Sequence, residues 1–248
     1  MAEASRNSRD KFHRAFVLHA RPFRNTSQII DLFTDDEGRV SVVARGATRG
    51  GARGRSPLSV QLQPFALLQV SWSGRGELYT LNRTEVVGRS YSLQGRRTLC
   101  GLYANELLVR LLHRGDPHVK LFEQYGELLH SLDSGGDEAC LLRAFEVQLL
   151  NAVGFGFDLQ IDCAGVPIHS DQVYSYHPEE GMMPFSSSNE KAVTVMGKTL
   201  EWLRTTESKV EKRVMQEAKY LLRSAIDYHL PNDMLESRKL IAQYGALN

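Results

Sequence analysis

The chain has 248 residues, 42% apolar and 24% charged, enough to bury a core in one large domain or two smaller ones, with the composition of an ordinary soluble globular protein. No apolar run reaches the ~20 residues that span a bilayer, and the polar N-terminus has no apolar signal core, so a soluble, cytoplasmic protein is expected. The net charge of +1 hides a division: residues 1–90 hold 14 Lys+Arg against 8 Asp+Glu, and residues 91–248 hold 16 against 21, which suggests two domains with different partners.

Short strands come first. Residues 15–19, 27–34 and 39–44 are rich in strand formers, with Pro22 expected to interrupt the first. Asp35-Asp36-Glu37-Gly38 reads as the turn between the second and third, and Val40, Val42 and Ala44 share one face of the third. Residues 45–55 follow with four arginines (Arg45, Arg49, Arg53, Arg55), four glycines and no acid. Such a loop is flexible and cationic, and it is either a solvated surface or a site for a polyanion. Residues 64–72, 77–81 and 85–87 complete about five strands, spaced as in a small barrel or sandwich. A five-stranded OB-type barrel is the economical choice, with Phe12, Phe23, Phe65, Trp72 and Tyr79 available to fill its core or to stack on bases.

From residue 91 the hydrophobic period becomes helical. Leu99, Leu102, Tyr103, Leu107, Leu108, Leu111 and Leu112 form one stripe, with Glu106 and Arg110 at i,i+4 on another face. Leu121, Phe122, Tyr125, Leu128, Leu129 and Leu132 form a second stripe after Pro117. Asp137 can cap a third helix, which Gly154 and Gly156 stop. Residues 157–186 read as a strand-and-loop insertion, with strands at 157–159, 173–176 and 182–185. Capping boxes at Ser187/Glu190 and Ser208/Glu211 then start helices running to about Arg204 and to His229, before Pro231. A last short helix is possible at residues 237–241.

Five segments in register resemble the RecO family of bacterial DNA repair and recombination mediators. They are residues 15–34 (AFVLHARPFRNTSQIIDLFT), 39–46 (RVSVVARG), 101–108 (GLYANELL), 142–157 (LRAFEVQLLNAVGFGF), and Tyr228-His229-Leu230 with Ser237-Arg238. The resemblance implies an α+β multidomain protein. Residues 1–90 would be an OB-type DNA-binding barrel, and residues 91–248 a mostly helical domain with the insertion at about 157–186. It implies a role without catalysis: binding single- and double-stranded DNA, annealing complementary strands, engaging the C-terminal tail of single-stranded DNA-binding protein, and loading RecA together with RecR.

Many members of that family carry a four-cysteine zinc site in the insertion. Here Cys100, Cys140 and Cys163 form no CxxC pair and only Cys163 is near the expected place, so a metal-free insertion is expected, with no cofactor. Arg45, Arg49, Arg53 and Arg55 are the DNA-binding candidates, with Arg14, Arg24, Arg39 and Arg75 as extensions, because a guanidinium can bind two phosphate oxygens and stack on bases. Arg143 occupies the position that the resemblance assigns to the acidic, phenylalanine-ended partner tail; as a residue it could equally be in an i,i+3 pair with Glu146. The eight histidines form no HxH or HExxH pattern, and neither a nucleotide-binding loop nor a nucleophile elbow is present. An OB-fold RNA-binding adaptor and a metal-dependent nuclease are the competing readings. The nuclease would have only Asp35-Asp36-Glu37 to hold metal.

Overall fold

The computed structural model describes residues 11–49, 57–88, 90–186, 192–206, 210–230 and 235–247. The chain forms two compact units. One takes in the described residues up to Asp133 together with those from Ser237 on; the other is Ser134–Glu236.

The first unit is built on a closed barrel of β1 (His13–Phe23), β2 (Ser27–Thr34), β3 (Gly38–Ala44), β4 (Leu67–Ser73) and β5 (Leu78–Val86), in the order β1-β2-β3-β5-β4. This is an OB-type barrel, as expected. The β2–β3 turn falls at residues 35–37, and Gly38 enters β3 at φ 65°. Only glycine serves there, because a Cβ would also lie 2.0 Å from the Asp116 carbonyl oxygen. Closure comes from the parallel pairing of β3 with β5, Ser41 beside Leu78 and Val43 beside Thr80. Alternation fills the interior with Ala15, Val17, Ile30, Leu32, Val40, Val42, Leu68 and Val70.

Two details of the strands differ from the sequence reading. β1 runs through Pro22 to Phe23, with Pro22 opposite Gln28. β4 pairs with β1 only over His13–Phe16, so the missing Pro22 N–H removes no bond from a two-sided ladder. The runs at 77–81 and 85–87 are one strand, β5.

The outer face of β1 and β2 is apolar as well, because two helices cover it. These are α1 (Arg96–Leu111) and α2 (Val119–Asp133). Phe16 and Phe33 meet Phe122 and Tyr125 at ring separations of 4.9–6.4 Å. The predicted α2 stripe is the buried set. Gly101 in α1 lies against the Phe65 ring, which a Cβ would meet at 2.7 Å. Asn105 of α1 donates to the Leu18 carbonyl at 2.8 Å and accepts from the buried Tyr125 hydroxyl, joining both helices to β1. The final helix, α6 (Glu236–Leu247), is longer than expected and begins where Glu106 accepts from the Ser237 amide (2.9 Å) and hydroxyl (2.5 Å).

The second unit contains α3 (Glu138–Ala152), β6 (Val173–His177), β7 (Gly181–Pro184), β8 (Val193–Met196), α4 (Gly197–Thr205) and α5 (Lys212–His229). Asp137 caps α3 through the Ala139 and Cys140 amides. The three strands form an antiparallel sheet in the order β7-β6-β8, so the strand element extends past 186 to Met196. The helix expected from Ser187 begins only at Gly197, because Val193, Thr194 and Val195 are strand formers that pair with Tyr176, Ser175 and Tyr174. Ser187, Glu190, Ser208 and Pro231 lie outside the described residues. Residues 157–159 form no strand; Asp158 instead accepts from the Gln160 and Ile161 amides in a turn.

Candidate nucleic-acid interface

The barrel has two chemically different ends. At one, β1 hands over to β2, β3 finishes at Ala44, and the basic loop leaves. Here Ala47 is fully buried, and its carbonyl accepts from the Ser59 amide at 2.9 Å, so the start of the loop plugs the barrel. Thr48 then donates to the Thr26 carbonyl through its amide (3.2 Å) and its hydroxyl (3.3 Å). This ties the loop to the β1–β2 turn. Arg45 and Arg49 on the loop, and Arg21 and Arg24 beside the turn, are exposed and make no ion pair among the described residues. The stretches that carry them, residues 11–30 and 38–76, contain no Asp or Glu, and no distant acid among the described residues reaches them. The charge stays available to a polyanion.

The opposite end holds the acids of the barrel's turns, together with the exposed Arg75 of the β4–β5 turn. Asp35, Asp36 and Glu37 form the β2–β3 turn, and Glu77 precedes β5. His13 bonds Asp36 at 2.6 Å and stacks on Trp72 with ring centroids 4.1 Å apart; Tyr79 lies 6.1 Å from Trp72. Burial works against ionisation of Asp36, but hydrogen bonds from Lys11 and His13 outweigh it and hold the carboxyl below its ordinary range. The ligand atoms of His13, Asp36 and Glu37 lie within 4.8 Å of one another. The Lys11 ammonium, 2.7 Å from Asp36 and 3.7 Å from Glu37, already supplies counter-charge there.

The structure therefore divides the arginines singled out from sequence. Arg45 and Arg49 stand free at the basic end. Arg53 and Arg55 lie outside the described residues. Arg14 pairs with Glu123 of α2 at 3.0 Å and covers the Phe122 ring. Arg39 is half-buried and donates to the Leu112 carbonyl at the C-terminus of α1, at 3.1 Å. Burial, with Arg114 close by, pulls its pKa below the usual arginine value. Arg21 was missed; the acid-free stretch around it was the available signal. Phe65 is buried and Trp72 packs at the acidic end, whereas Phe23 lies at the basic end. In the second unit Arg143 is 8% exposed and bonds Glu146 at 2.6 Å. Its Nε has no hydrogen-bond partner among the described residues.

Cys100 and Cys140 are buried in their helices, and Cys163 is exposed in the loop before β6. No described helix is long and apolar enough to cross a membrane.

Two family models match consecutive parts of the sequence. The one described as recombination protein O N terminal matches residues 11–89, and the one described as recombination protein O C terminal matches residues 92–239. The chain belongs to the RecO family. Relatives called DNA repair protein RecO cover nearly all of it. That of Methylococcus capsulatus is 41% identical over 94% of this chain and 93% of its own length. That of Nitrosospira multiformis is 39% identical, over 94% and 95%. That of Coxiella burnetii is 41% identical, over 92% and 96%. Within this RecO-family chain, the free arginines of the barrel fall in the N-terminal match and Arg143 in the C-terminal one.

Proposed function

We propose that this protein is a recombination mediator in DNA repair that works without catalysis. It binds single- and double-stranded DNA through its N-terminal region, residues 1–90, and anneals complementary strands. Through its C-terminal region it engages the tail of single-stranded DNA-binding protein, and with RecR it promotes loading of RecA on the nucleoid. The observation that carries the reading is the set of exposed arginines without acidic partners, Arg21, Arg24, Arg45 and Arg49, gathered by the Thr48–Thr26 contact at one end of the barrel. Arg53 and Arg55, next in the sequence, are further candidates that lie outside the described residues. Exposed guanidinium groups on a folded platform bind phosphate without reading sequence, which suits a protein that must hold any two complementary strands.

Arg14 and Arg39 contribute less to this surface, since both are engaged with the protein itself. Arg143 serves the partner tail; since it is 8% exposed, paired with Glu146 and has its Nε buried, the tail carboxylate must displace neighbouring side chains to reach it. An annealing assay with complementary oligonucleotides in EDTA tests the reading. Accelerated annealing without metal is expected. Binding to RNA alone, or cleavage that EDTA abolishes, would contradict it.

A further inference from the structure

The next step rests on the DNA-binding reading above and concerns how the basic end distinguishes single strands from duplex. Among the aromatic residues that sequence marks for stacking, Phe65 is buried beneath Gly101. Trp72 and Tyr79 pack together beside His13 at the acidic end. Phe23 is different. It is the last residue of β1, half-buried, and lies between the exposed Arg21 and Arg24 in the chain. The Arg24 guanidinium carbon lies 5.1 Å from its ring centroid. Arg24 itself has φ 55°, a left-handed conformation that a long side chain adopts at some cost. The turn holds that conformation while Thr26 is tied to Thr48. One ring and four unpaired cations are thus presented on a braced turn and loop.

We propose that Phe23 is a base-stacking residue and that the β1–β2 turn is a single-strand-selective element of the DNA site. Every base has a π-face, so a ring at this place accepts any sequence. A duplex keeps those faces stacked inside and offers only phosphates to the arginines. Arg24 stabilises the ring from one side and reaches backbone phosphate from the same turn. The basic loop binds both forms; Phe23 adds affinity for one.

The test compares Phe23→Ala, Phe23→Leu and Phe23→Trp with the parent protein, using oligo(dT) and a blunt duplex of equal length at one salt concentration. Phe23→Leu keeps apolar bulk at the turn, and circular dichroism checks the fold of all three. Stacking on one base is worth about 1–3 kcal/mol, so the Ala and Leu variants should bind oligo(dT) about 5- to 100-fold more weakly, with duplex affinity changed less than about 2-fold. The Trp variant should bind oligo(dT) like the parent and show additional emission quenching on saturation. Unchanged oligo(dT) binding by the Ala and Leu variants overturns the inference, as does an equal loss on both ligands. A parent protein that binds neither ligand would instead refute the DNA-binding reading itself.

Discussion

Thr48 donates to the Thr26 carbonyl twice, from its amide at 3.2 Å and its hydroxyl at 3.3 Å. Through this contact the start of the basic loop, which carries Arg45 and Arg49, is joined to the β1–β2 turn, which carries Arg24. A hydrogen-bonded amide exchanges slowly only while its bond is closed. The Thr48 amide should therefore be protected from exchange in the free protein, despite lying in a loop. Residue-resolved hydrogen exchange checks this; exchange at the rate of an open chain would mean that the two arms are not joined.

The free and engaged arginines should respond differently to alanine. Arg45→Ala and Arg49→Ala remove exposed side chains with no described acidic partner, so stability should change by less than about 0.5 kcal/mol while DNA affinity falls. Arg39→Ala removes a half-buried charged donor from the Leu112 carbonyl. It should lower stability by about 1–2 kcal/mol and leave the salt dependence of DNA binding nearly unchanged. Urea denaturation and DNA titration on the same variants separate the two effects.

Glu217 should give the second unit an acid-dependent component of stability. The first turn of α4 has no local side-chain cap. Glu217 of α5 supplies one, accepting from the Met196 amide at 3.0 Å and the Thr199 hydroxyl at 2.7 Å, with Arg213 at 2.8 Å on its other oxygen. Burial opposes ionisation, but these bonds outweigh it and hold the carboxyl below its ordinary range. Because the folded value is depressed, the contribution is complete above the ordinary carboxylate range and disappears as pH falls through the folded value. Glu217→Gln should cost about 1–2 kcal/mol at neutral pH, as expected for loss of a helix cap. The difference from the parent should vanish in acid, as followed by urea denaturation across pH.

Asn105 should be a costly residue to remove. Its amide joins the Leu18 carbonyl to the fully buried Tyr125 hydroxyl, so truncation takes a hydrogen-bond partner from two buried polar groups. Asn105→Ala is expected to destabilise by about 2–4 kcal/mol. Tyr125→Phe, which leaves the Leu18 contact in place, should cost about half as much or less. Thermal denaturation of both variants gives the ratio.

Arg143→Ala and Arg143→Lys test the partner site with a peptide ending in acidic residues and phenylalanine. If the guanidinium grips the peptide, affinity should fall about tenfold for alanine, and lysine should not restore it, because the fork geometry is lost. A loss of stability with equal peptide affinity would mean that Arg143 serves only its pair with Glu146.

Much of the barrel was legible because its signals are local. Val40, Val42 and Ala44 alternate, and Asp35–Gly38 contains its own turn residues. The stripe from Leu121 to Leu132 was legible for the same reason. β8 was not, since the capping pattern at Ser187 and Glu190 outweighed the β-branched run that follows it, and only Tyr174 and Tyr176 of β6 reveal the pairing. At the site, composition identified the basic loop but could not sort its arginines from Arg14 and Arg39. Whether an arginine stays free depends on what a distant segment brings to it. Glu123 and the Leu112 carbonyl arrive with α2 and α1, far along the chain.

The central claim is that the four free arginines at one end of the barrel bind phosphate. Its most direct test is the salt dependence of oligo(dT) binding by the parent protein and by a variant with Arg21, Arg24, Arg45 and Arg49 replaced by alanine. Each phosphate neutralised on a single strand contributes about −0.7 to the slope of log K against log salt concentration. The substitutions should make the slope shallower by about 2 to 3 and weaken binding strongly at low salt. An unchanged slope, in a variant that folds normally, would place the DNA elsewhere on the protein and contradict the account.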